Sequence, residues 1–303
     1  MRTLWLLLPP LVLLSLPVKA DSQFLVIAHR GASSLAPENT IPAFRIAVER
    51  YGAKMIELDV QLSRDGVPMV IHDSTLGRTT DARDRYPGRK KWPVADFTAE
   101  ELRGLDSGSW FVETDPFGQV GAGAVPPEDL AYYRNGKVGV PTFAEVLQLL
   151  AAYDCRVNVE LKNFPEHHPD LVPRVVQEIR RAKMEKRCLV SSFHHPSLVE
   201  FQRLLPQVER GALFWLPAVH VGDYLRRLDV QAYHPGLATL GAQSAGGLDL
   251  ASIAEARSAG FNVYVYTVDD PDTVEKLREA GAHGVFTNFI QRYGKGAGRP
   301  SPR

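Results

Sequence analysis

The chain contains few cysteines that could form disulfides or bind a metal ion as thiolates. Its 303 residues include only two cysteines, Cys155 and Cys188, and no CxxC pair or Cys/His cluster, so nothing indicates a zinc site. Net charge is also absent, since 35 Lys and Arg residues balance 35 Asp and Glu residues. That balance argues against a nucleic-acid coat and against binding to anionic membranes. A hydrophobic content of 45% is ordinary for a globular chain of this length.

Long apolar runs are missing too, apart from one near the N-terminus. Arg2 precedes an apolar run over residues 4–16, which is interrupted by prolines and too short to span a bilayer comfortably. Small residues up to Ala20 are typical of a cleavage site, so we predict a secretory signal over residues 1–20, cleaved after Ala20. An uncleaved anchor is the alternative. The protein is predicted to be exported, to the periplasm or the medium, without stable membrane insertion.

The other end of the chain carries charge of one sign. Residues 291–303 contain Arg292, Lys295, Arg299 and Arg303 among Gly and Pro, without an acidic residue. Such a composition is typical of a solvated segment that cannot bury a core. We therefore predict a disordered basic tail over residues 291–303.

Between the two ends, short apolar strands alternate with amphipathic helical stretches. The predicted parallel strands cover residues 25–28, 55–60, 157–161, 189–193, 212–215, 231–234, 263–268 and 284–287. The predicted helices cover residues 41–51, 142–153, 169–182, 197–205, 221–228, 248–259 and 271–280. Eight parallel strands with helices between them predict an α/β domain over residues 21–290, a closed (β/α)8 TIM-type barrel. An open doubly wound sheet is the alternative, but no GxGxxG loop supports it.

Two segments break this alternation. Residues 67–72 return after the short segment 63–66, whose Asp-Gly pair is a strong turn signal, so we predict an antiparallel hairpin. A turn centred between the two middle residues of that segment sets His72 beside Glu57. Residues 107–140 are rich in Gly, Pro and aromatic side chains. They are predicted to form an inserted loop or small subdomain at the barrel mouth.

Acidic residues follow a two-residue period on two of the predicted strands. Glu57 and Asp59 share one face of the second strand, while the apolar Leu58 faces the other way. Glu160 repeats the pattern on the next parallel strand, about 4.8 Å away. Three carboxylates without a thiolate are typical of a hard-cation site, which predicts one Mg²⁺ or Ca²⁺ ion held by all three. Lys162, on the same face as Glu160, is either its counter-ion or a ligand of a substrate phosphate.

Two histidines are predicted to converge on this cation site. His29 ends the first strand, next to the second, and the hairpin brings His72 to the same place. A pair of imidazoles can donate and accept protons near neutral pH, although each histidine alone is more often structural. Arg30 offers a forked donor to phosphate oxygens, and Gly31 is expected to let the backbone approach a ligand.

Together these residues resemble the glycerophosphodiester phosphodiesterase family over residues 24–290. The resemblance is carried by these motifs, which fall in the family order: His29-Arg30-Gly31, Pro37-Glu38-Asn39-Thr40, Glu57-Leu58-Asp59, His72-Asp73, Thr75-Leu76 with Arg78-Thr79-Thr80, Leu105-Asp106 through Trp110, Glu160-Leu161-Lys162, Ser192-Phe193, His234-Pro235, Tyr266-Thr267-Val268 and Thr287-Asn288. The resemblance implies a (β/α)8 fold and metal-dependent hydrolysis of small glycerophosphodiesters to an alcohol and glycerol 3-phosphate. It also implies a role for each site residue: His29 and His72 as acid and base, Arg30 and Lys162 on phosphate, and Glu57, Asp59 and Glu160 on the metal.

Four late positions depart from the family pattern. The family usually has Trp where Tyr266 stands, Asn where Asp269 stands and Asp where Asn288 stands, and Pro where Ile290 stands. These positions lie at late strand ends, where the alcohol of the substrate is expected to bind. They put specificity in doubt more than chemistry.

Three residues are predicted to line the substrate pocket, namely His234, Tyr266 and Trp110. Trp110 and Phe111 of the insert form either an apolar lip for a lysophospholipid tail or a lid packed on its own aromatic side chains. The rival functions are therefore a lysophospholipase-D-type phosphodiesterase and a non-catalytic binder of phosphorylated ligands. The presence of two histidines argues against the binder.

Two pairs of residues keep more than one interpretation. Cys155 and Cys188 are expected at the bottom ends of neighbouring barrel strands, either as a disulfide or as free buried thiols. Glu38 and Asn39 either order the site or only begin a helix. The pattern determines neither the oligomeric state nor the choice between Mg²⁺ and Ca²⁺.

Overall fold

The computed structural model describes residues 24–163, 168–241 and 247–294, and within them the strands close into a ring. The strands are β1 (Leu25–Ala28), β2 (Met55–Leu62), β3 (Pro68–Val70), β4 (Arg156–Leu161), β5 (Cys188–Ser192), β6 (Glu209–Phe214), β7 (Ala232–Pro235), β8 (Asn262–Val265) and β9 (Gly284–Thr287). Eight of them are parallel, and β1 closes the ring by pairing with both β2 and β9. The predicted barrel is confirmed, and the closed ring excludes the open doubly wound sheet.

Helices connect the parallel strands as expected. The helices are α1 (Ile41–Glu49), α2 (Ala82–Arg85), α3 (Ala99–Arg103), α4 (Ser109–Thr114), α5 (Pro127–Tyr133), α6 (Phe143–Ala151), α7 (Leu171–Ala182), α8 (His195–Leu204), α9 (Val221–Leu228), α10 (Ala251–Ser258) and α11 (Pro271–Glu279). Local signals explain where several of them begin. A reciprocal capping box between Thr142 and Glu145 starts α6, and a proline occupies the first turn of α1, α8 and α11.

The hairpin between β2 and β3 differs from the predicted register by one residue. Val60 pairs with Val70, which makes the loop one residue longer than expected. The additional residue is accommodated by Gly66, whose φ of +75° lies in the left-handed region, as in three-residue hairpin loops. The prediction that this ladder sets His72 beside Glu57 is therefore wrong.

Alternation along the strands separates two apolar layers. Residues such as Leu58 and Val159 pack outwards against the helices, each contributing about 1.5–3 kcal/mol by burial. The other face fills the lumen with the side chains of Ile27, Met55, Leu189, Ala232, Tyr264 and Phe286. On β2 the lumen-facing positions after Met55 are Glu57 and Asp59. The apolar side chains therefore fill the part of the lumen nearer its N-terminal end, and the two acids lie nearer its C-terminal end.

The segment 107–140 contains α4 and α5, and its buried side chains pack against one another and against the core of the barrel. Phe111 meets Tyr133 edge to face, with ring centroids 5.8 Å apart. Farther along, Phe117 meets Phe289 at 5.8 Å, and Phe289 lies just beyond the end of β9. That contact places part of the segment at the C-terminal end of the barrel.

The described chain continues beyond the predicted start of the basic tail. Gln291 hydrogen-bonds to Ser34 at 3.0 Å, and the Arg292 guanidinium stacks 3.9 Å above the Phe289 ring. The tail therefore cannot begin at residue 291, because residues 291–294 pack on the barrel. Residues 295–303 and the predicted signal over residues 1–20 lie outside the described residues. Within the described ranges, no helix has the length and apolar character needed to cross a membrane.

Cys155 and Cys188 are both buried, and both are free thiols. Cys188 begins β5 opposite Val157, so Cys155 lies two residues lower on the neighbouring strand. That offset adds about 6.6 Å along the strand to a lateral spacing of about 4.8 Å. Straight strands would then hold the two Cα atoms about 8 Å apart, beyond the roughly 4.4–6.8 Å of a disulfide. Burial raises the pKa of each thiol to about 12, which keeps both protonated.

Candidate active site

Three carboxylates converge at the C-terminal end of the barrel. Glu57 and Asp59 face the lumen from β2, and the strand register sets Glu160 of β4 directly beside Asp59. Ligand oxygens of the three residues all lie within 4.8 Å of one another. The cluster expected from the two-residue alternation is therefore present in space. Its donors are oxygens alone, which fits a hard cation and not zinc.

The two buried acids of the cluster have pKa values shifted in opposite directions. Burial, followed by the charges of Asp59 and Glu160, raises the pKa of Glu57 well above its usual value. Burial also opposes ionisation of Asp59, but the charges of His72 and Lys162 hold the pKa of Asp59 well below its usual range. Among the described residues, Asp59 Oδ1 is buried without a hydrogen-bond partner. Such an oxygen is costly to bury, and a bound cation would remove that cost.

Asn39 holds Asp59 from the loop that precedes α1. Its amide donates to Asp59 Oδ2 at 2.7 Å, and its carbonyl oxygen accepts from the Asp59 backbone N–H at 3.2 Å. Thr40, the residue at the start of α1, makes no side-chain cap. Of the two roles considered for Asn39, ordering the site is the one that the contacts support.

Arg30 and Lys162 flank the carboxylates. Lys162 Nζ lies 2.7 Å from Glu160 Oε1. Arg30 donates its backbone N–H to Glu57 at 2.9 Å, and its guanidinium pairs with Glu38 at 2.9 Å. The positively charged side chains of Arg30 and Lys162 therefore lie beside the carboxylates. In that position they can bind an anion that occupies the same site.

Gly31 has a packing role in the loop that follows β1. It adopts a φ of +85°, and a Cβ added there would lie 2.7 Å from the backbone carbon of Ala43 in α1. The absence of a side chain lets the first loop pack against α1. That the backbone at Gly31 also approaches a ligand stays a prediction.

His29 follows β1, and its two ring nitrogens have different surroundings. Nδ1 lies 2.7 Å from Asn288 Oδ1, and Nε2 lies 3.9 Å from Glu57 Oε2. The Asn288 amide is oriented by Asp269, which accepts from its Nδ2 at 2.7 Å. Asn288 Oδ1 therefore accepts the Nδ1 proton, which leaves the lone pair of His29 on Nε2. Burial, followed by the charge of Arg30, lowers the pKa of His29 to about 4, so its ring is neutral near pH 7.

His72 is held by a chain of ionic contacts on loops that follow the hairpin. Its Nδ1 lies 2.7 Å from Asp73 Oδ1, and Arg78 donates to the other Asp73 oxygen at 2.6 Å. Arg78 also donates to both oxygens of Glu38, at 2.8 and 2.7 Å. Among the charges that lower the pKa of Asp59, that of His72 is the largest. His72 also lines a small cavity together with Glu38 and Asn39, and Asn39 binds Asp59. His72 is therefore near the cluster, although the ladder register does not place it there.

Comparison with known proteins identifies the family. A family model described as the glycerophosphoryl diester phosphodiesterase family matches residues 29–292. The chain belongs to this family. The glycerophosphodiester phosphodiesterase of Caldanaerobacter subterraneus is 33% identical over 87% of this chain and 93% of that protein, and that of Bacillus altitudinis is 34% identical over 88% and 95%. A solved Oleispira antarctica phosphodiesterase, in complex with the product sn-glycerol-3-phosphate, is 27% identical with a TM-score of 0.69, covering 88% of this chain and 94% of that one.

Two positions at which this phosphodiesterase departs from the family pattern contact each other. Asp269 accepts both the backbone N–H of Asn288 at 2.8 Å and its side-chain amide. The resemblance described above implies the reverse arrangement, with Asn at position 269 and Asp at position 288. His29 consequently meets an amide oxygen where the pattern would supply a carboxylate.

Two of the three predicted substrate-pocket residues lie near the phosphodiesterase site. Burial, followed by the charge of Glu160, raises the pKa of Tyr266, whose hydroxyl donates to the Phe214 carbonyl at 2.7 Å. Trp110 lies 5.7 Å from the Arg78 guanidinium, which binds Glu38. Trp110 is thus linked to the site through Arg78 and not through an apolar surface.

His234 does not line an open pocket. Its side chain is fully buried between Tyr264 and Phe286, with ring centroids 5.5 and 5.3 Å away. A Cβ added to Gly211 of β6 would lie 2.5 Å from the imidazole. The prediction of a substrate contact is wrong, because this position of β7 belongs to the closed lumen and not to the rim. Burial lowers the pKa of His234 to about 3, so its ring is neutral.

Proposed function

We propose that this chain hydrolyses glycerophosphodiesters to an alcohol and glycerol 3-phosphate, using one divalent cation and two histidines. The observation that carries the proposal is the convergence of acidic, imidazole and cationic side chains at one end of the barrel, namely Glu57, Asp59, Glu160, His29, His72, Arg30 and Lys162. A binder of phosphorylated ligands would use the cationic groups. It would have no use for two oriented imidazoles, so the arrangement favours an enzyme.

The three carboxylates Glu57, Asp59 and Glu160 would hold the cation. Their oxygens lie within 4.8 Å of one another, and Asp59 Oδ1 has no hydrogen-bond partner among the described residues. When bound, Mg²⁺ or Ca²⁺ supplies a Lewis acid that neutralises charge developing on the phosphoryl oxygens. Both ions prefer oxygen ligands, so the donor set is compatible with either.

The two histidines suit opposite proton transfers. His29 is neutral and carries its lone pair on Nε2, so it accepts the proton of the attacking hydroxyl group. His72 has Nδ1 held by Asp73, and it donates a proton to the oxygen of the leaving alcohol. Arg30 and Lys162 bind the non-bridging oxygens of the phosphate and fix it between the two rings.

The expected partner is a small glycerophosphodiester, outside the cytoplasm. The Oleispira phosphodiesterase was solved with sn-glycerol-3-phosphate, the product that this reaction would release. The apolar run and small residues up to Ala20 support export, with a barrel domain over residues 21–290 that carries the insert 107–140. N-terminal sequencing of the exported protein is expected to begin at Asp21. A retained N-terminus would favour the uncleaved anchor.

Turnover of glycerophosphocholine by the purified protein tests the proposal. Release of choline and glycerol 3-phosphate is expected, with loss of activity in chelator and recovery when Mg²⁺ or Ca²⁺ is restored. Asp59→Asn should abolish turnover. Asp154→Asn is the matched control, since that exposed carboxylate pairs with Lys54 beside the opposite ends of β2 and β4. Full activity in excess chelator would contradict metal dependence, and tight binding without turnover would favour the non-catalytic binder.

A further inference from the structure

Arg78 lies on the loop between β3 and α2 and bridges two carboxylates beside the candidate active site. Its Nε and Nη2 donate to the two oxygens of Asp73, at 2.6 and 3.0 Å. Its Nη1 and Nη2 donate to the two oxygens of Glu38, at 2.8 and 2.7 Å. Each carboxylate therefore binds one edge of the planar guanidinium, and the guanidinium sets the distance between the two carboxylates.

The two carboxylates hold different groups of the proposed mechanism. Asp73 Oδ1 lies 2.7 Å from Nδ1 of His72, the proposed proton donor to the leaving alcohol. Glu38 Oε1 accepts from Nη1 of Arg30, a proposed phosphate ligand, at 2.9 Å. Arg78 therefore connects the proton donor to a group that holds the phosphate.

The surroundings of Arg78 suit it to support other side chains and not to bind phosphate itself. Four of the five N–H groups of its guanidinium are used by Asp73 and Glu38. Trp110 of the insert lies 5.7 Å from the guanidinium carbon, within reach of a cation–π contact. The indole N–H of Trp110 donates to the Ser107 carbonyl at 3.0 Å, which fixes the ring.

The shape of the guanidinium matters here more than its charge. The Glu38 side chain is 9% exposed, whereas that of Arg78 is 43% exposed, so solvent screens the cation. Lysine at position 78 would keep the positive charge and has room at this half-exposed position. Its ammonium is a single point charge, however, and cannot bind two carboxylates along two edges.

We infer that Arg78 is a positioning residue, which aims Nε2 of His72 at the leaving oxygen of a phosphodiester held by Arg30. The inference rests on the proposed phosphodiesterase function. A misplacement of about 1 Å can lower the rate by about 100-fold, and a positioned proton donor contributes about 10² to 10⁴. Loss of the bridge should therefore slow only those substrates whose leaving group needs a proton.

The test compares two phosphodiesters with different leaving groups. Choline leaves glycerophosphocholine as an alcohol that needs a proton, whereas p-nitrophenol leaves the p-nitrophenyl ester of glycerol phosphate as a stable anion. Arg78→Lys should lower kcat for glycerophosphocholine by about 10- to 100-fold. Its kcat for the p-nitrophenyl ester, and its KM for both, should stay within about threefold of the wild type, because Arg30 and Lys162 still bind the phosphate.

Arg83→Lys is the matched control. Arg83 lies on α2, its guanidinium carbon is also 5.7 Å from a tryptophan ring, that of Trp92, and it is outside the bridge between Asp73 and Glu38. This variant should keep the kcat of the wild type on both esters. Thermal unfolding of each variant shows whether it is folded at the assay temperature.

Two further measurements ask whether Arg78 acts through His72. In a His72→Ala background, Arg78→Lys should cause no further loss of kcat on glycerophosphocholine, because the group that it positions is gone. Arg78→Ala should regain turnover of glycerophosphocholine by at least about tenfold when guanidinium ion is added at millimolar concentration, and ammonium ion should not replace it.

The outcomes separate this inference from the proposed function. Equal losses on the two esters, or losses that multiply in the His72→Ala background, would mean that Arg78 acts on the phosphate or on the fold, and the inference would be wrong. Unchanged turnover of glycerophosphocholine by Arg78→Lys would also overturn it. If the wild-type protein with Mg²⁺ or Ca²⁺ hydrolyses neither ester, the proposed function itself is wrong.

Discussion

Exchanging the residues at positions 269 and 288 tests how His29 is held. Asn288 Nδ2 donates to Asp269, which turns Asn288 Oδ1 towards His29. Asn288→Asp alone brings two carboxylates into contact, and Asp269→Asn alone removes the acceptor that orients the amide. A hydrogen bond to a charged group contributes about 1.5–3 kcal/mol. Each single variant should therefore lower kcat by about 10- to 100-fold.

The double variant, Asp269→Asn with Asn288→Asp, should recover much of the lost turnover and change its pH dependence. The amide introduced at position 269 can donate to the carboxylate introduced at position 288, and that carboxylate faces His29. An opposite charge at this distance raises a histidine pKa by about 1–3 units. The pKa of His29 is about 4 in this chain and should rise by that amount. Activity that needs neutral His29 is lost as pH falls through its pKa, so the acid limb should move upwards by the same amount.

The measurement is the pH profile of kcat/KM for glycerophosphocholine at constant cation concentration. Asp270→Asn is the control, because Asp270 caps α11 through the Thr273 N–H at 2.9 Å and does not contact His29. Asparagine caps a helix about as well as aspartate, so this variant should keep its stability and leave the acid limb in place. If the double variant is as impaired as the two single variants combined, or its acid limb does not move, our assignment of His29 as the base is wrong.

Three other experiments probe His72, the cation site and the cysteines. Asp73→Asn should lower kcat by about 10- to 100-fold with little change in KM, because the carboxylate on His72 Nδ1 loses its charge; a change in KM alone would contradict this positioning role. Glu160→Gln should weaken cation binding measured by calorimetry without lowering Tm, and an unchanged affinity would contradict its role as a ligand. Alkylation should modify Cys155 and Cys188 after denaturation but not in the native protein, because both thiols are buried; a disulfide found by mass spectrometry would refute this.

The carboxylate cluster was predictable because it depends on local periodicity. Glu57 and Asp59 are two residues apart on a strand, so they share a face whatever the rest of the chain does. The strand order of a parallel barrel then brings Glu160 alongside them. Lys162 follows by the same argument, since it is two residues beyond Glu160.

Contacts between distant loops were not predictable in this way. Asp73 and Arg78 appear in the sequence only as parts of motifs, and their ionic chain through Glu38 to the site depends on how three loops fold together. Asp269 and Asn288 appear as two unrelated departures from the family pattern. Only the tertiary structure shows that the two residues contact each other.

The sequence by itself determined the barrel class, the strands that carry chemistry and the residues that form the acidic cluster. Tertiary structure decided which residues pair across strands and how far each side chain lies along the barrel axis. The left-handed Gly66 shifted the hairpin by one residue, and a two-residue offset kept Cys155 and Cys188 apart. His234 lies so deep in the lumen that its side chain is fully buried. A two-residue period reports which face a side chain occupies, but strand pairing and loop length decide how far along the barrel axis it lies.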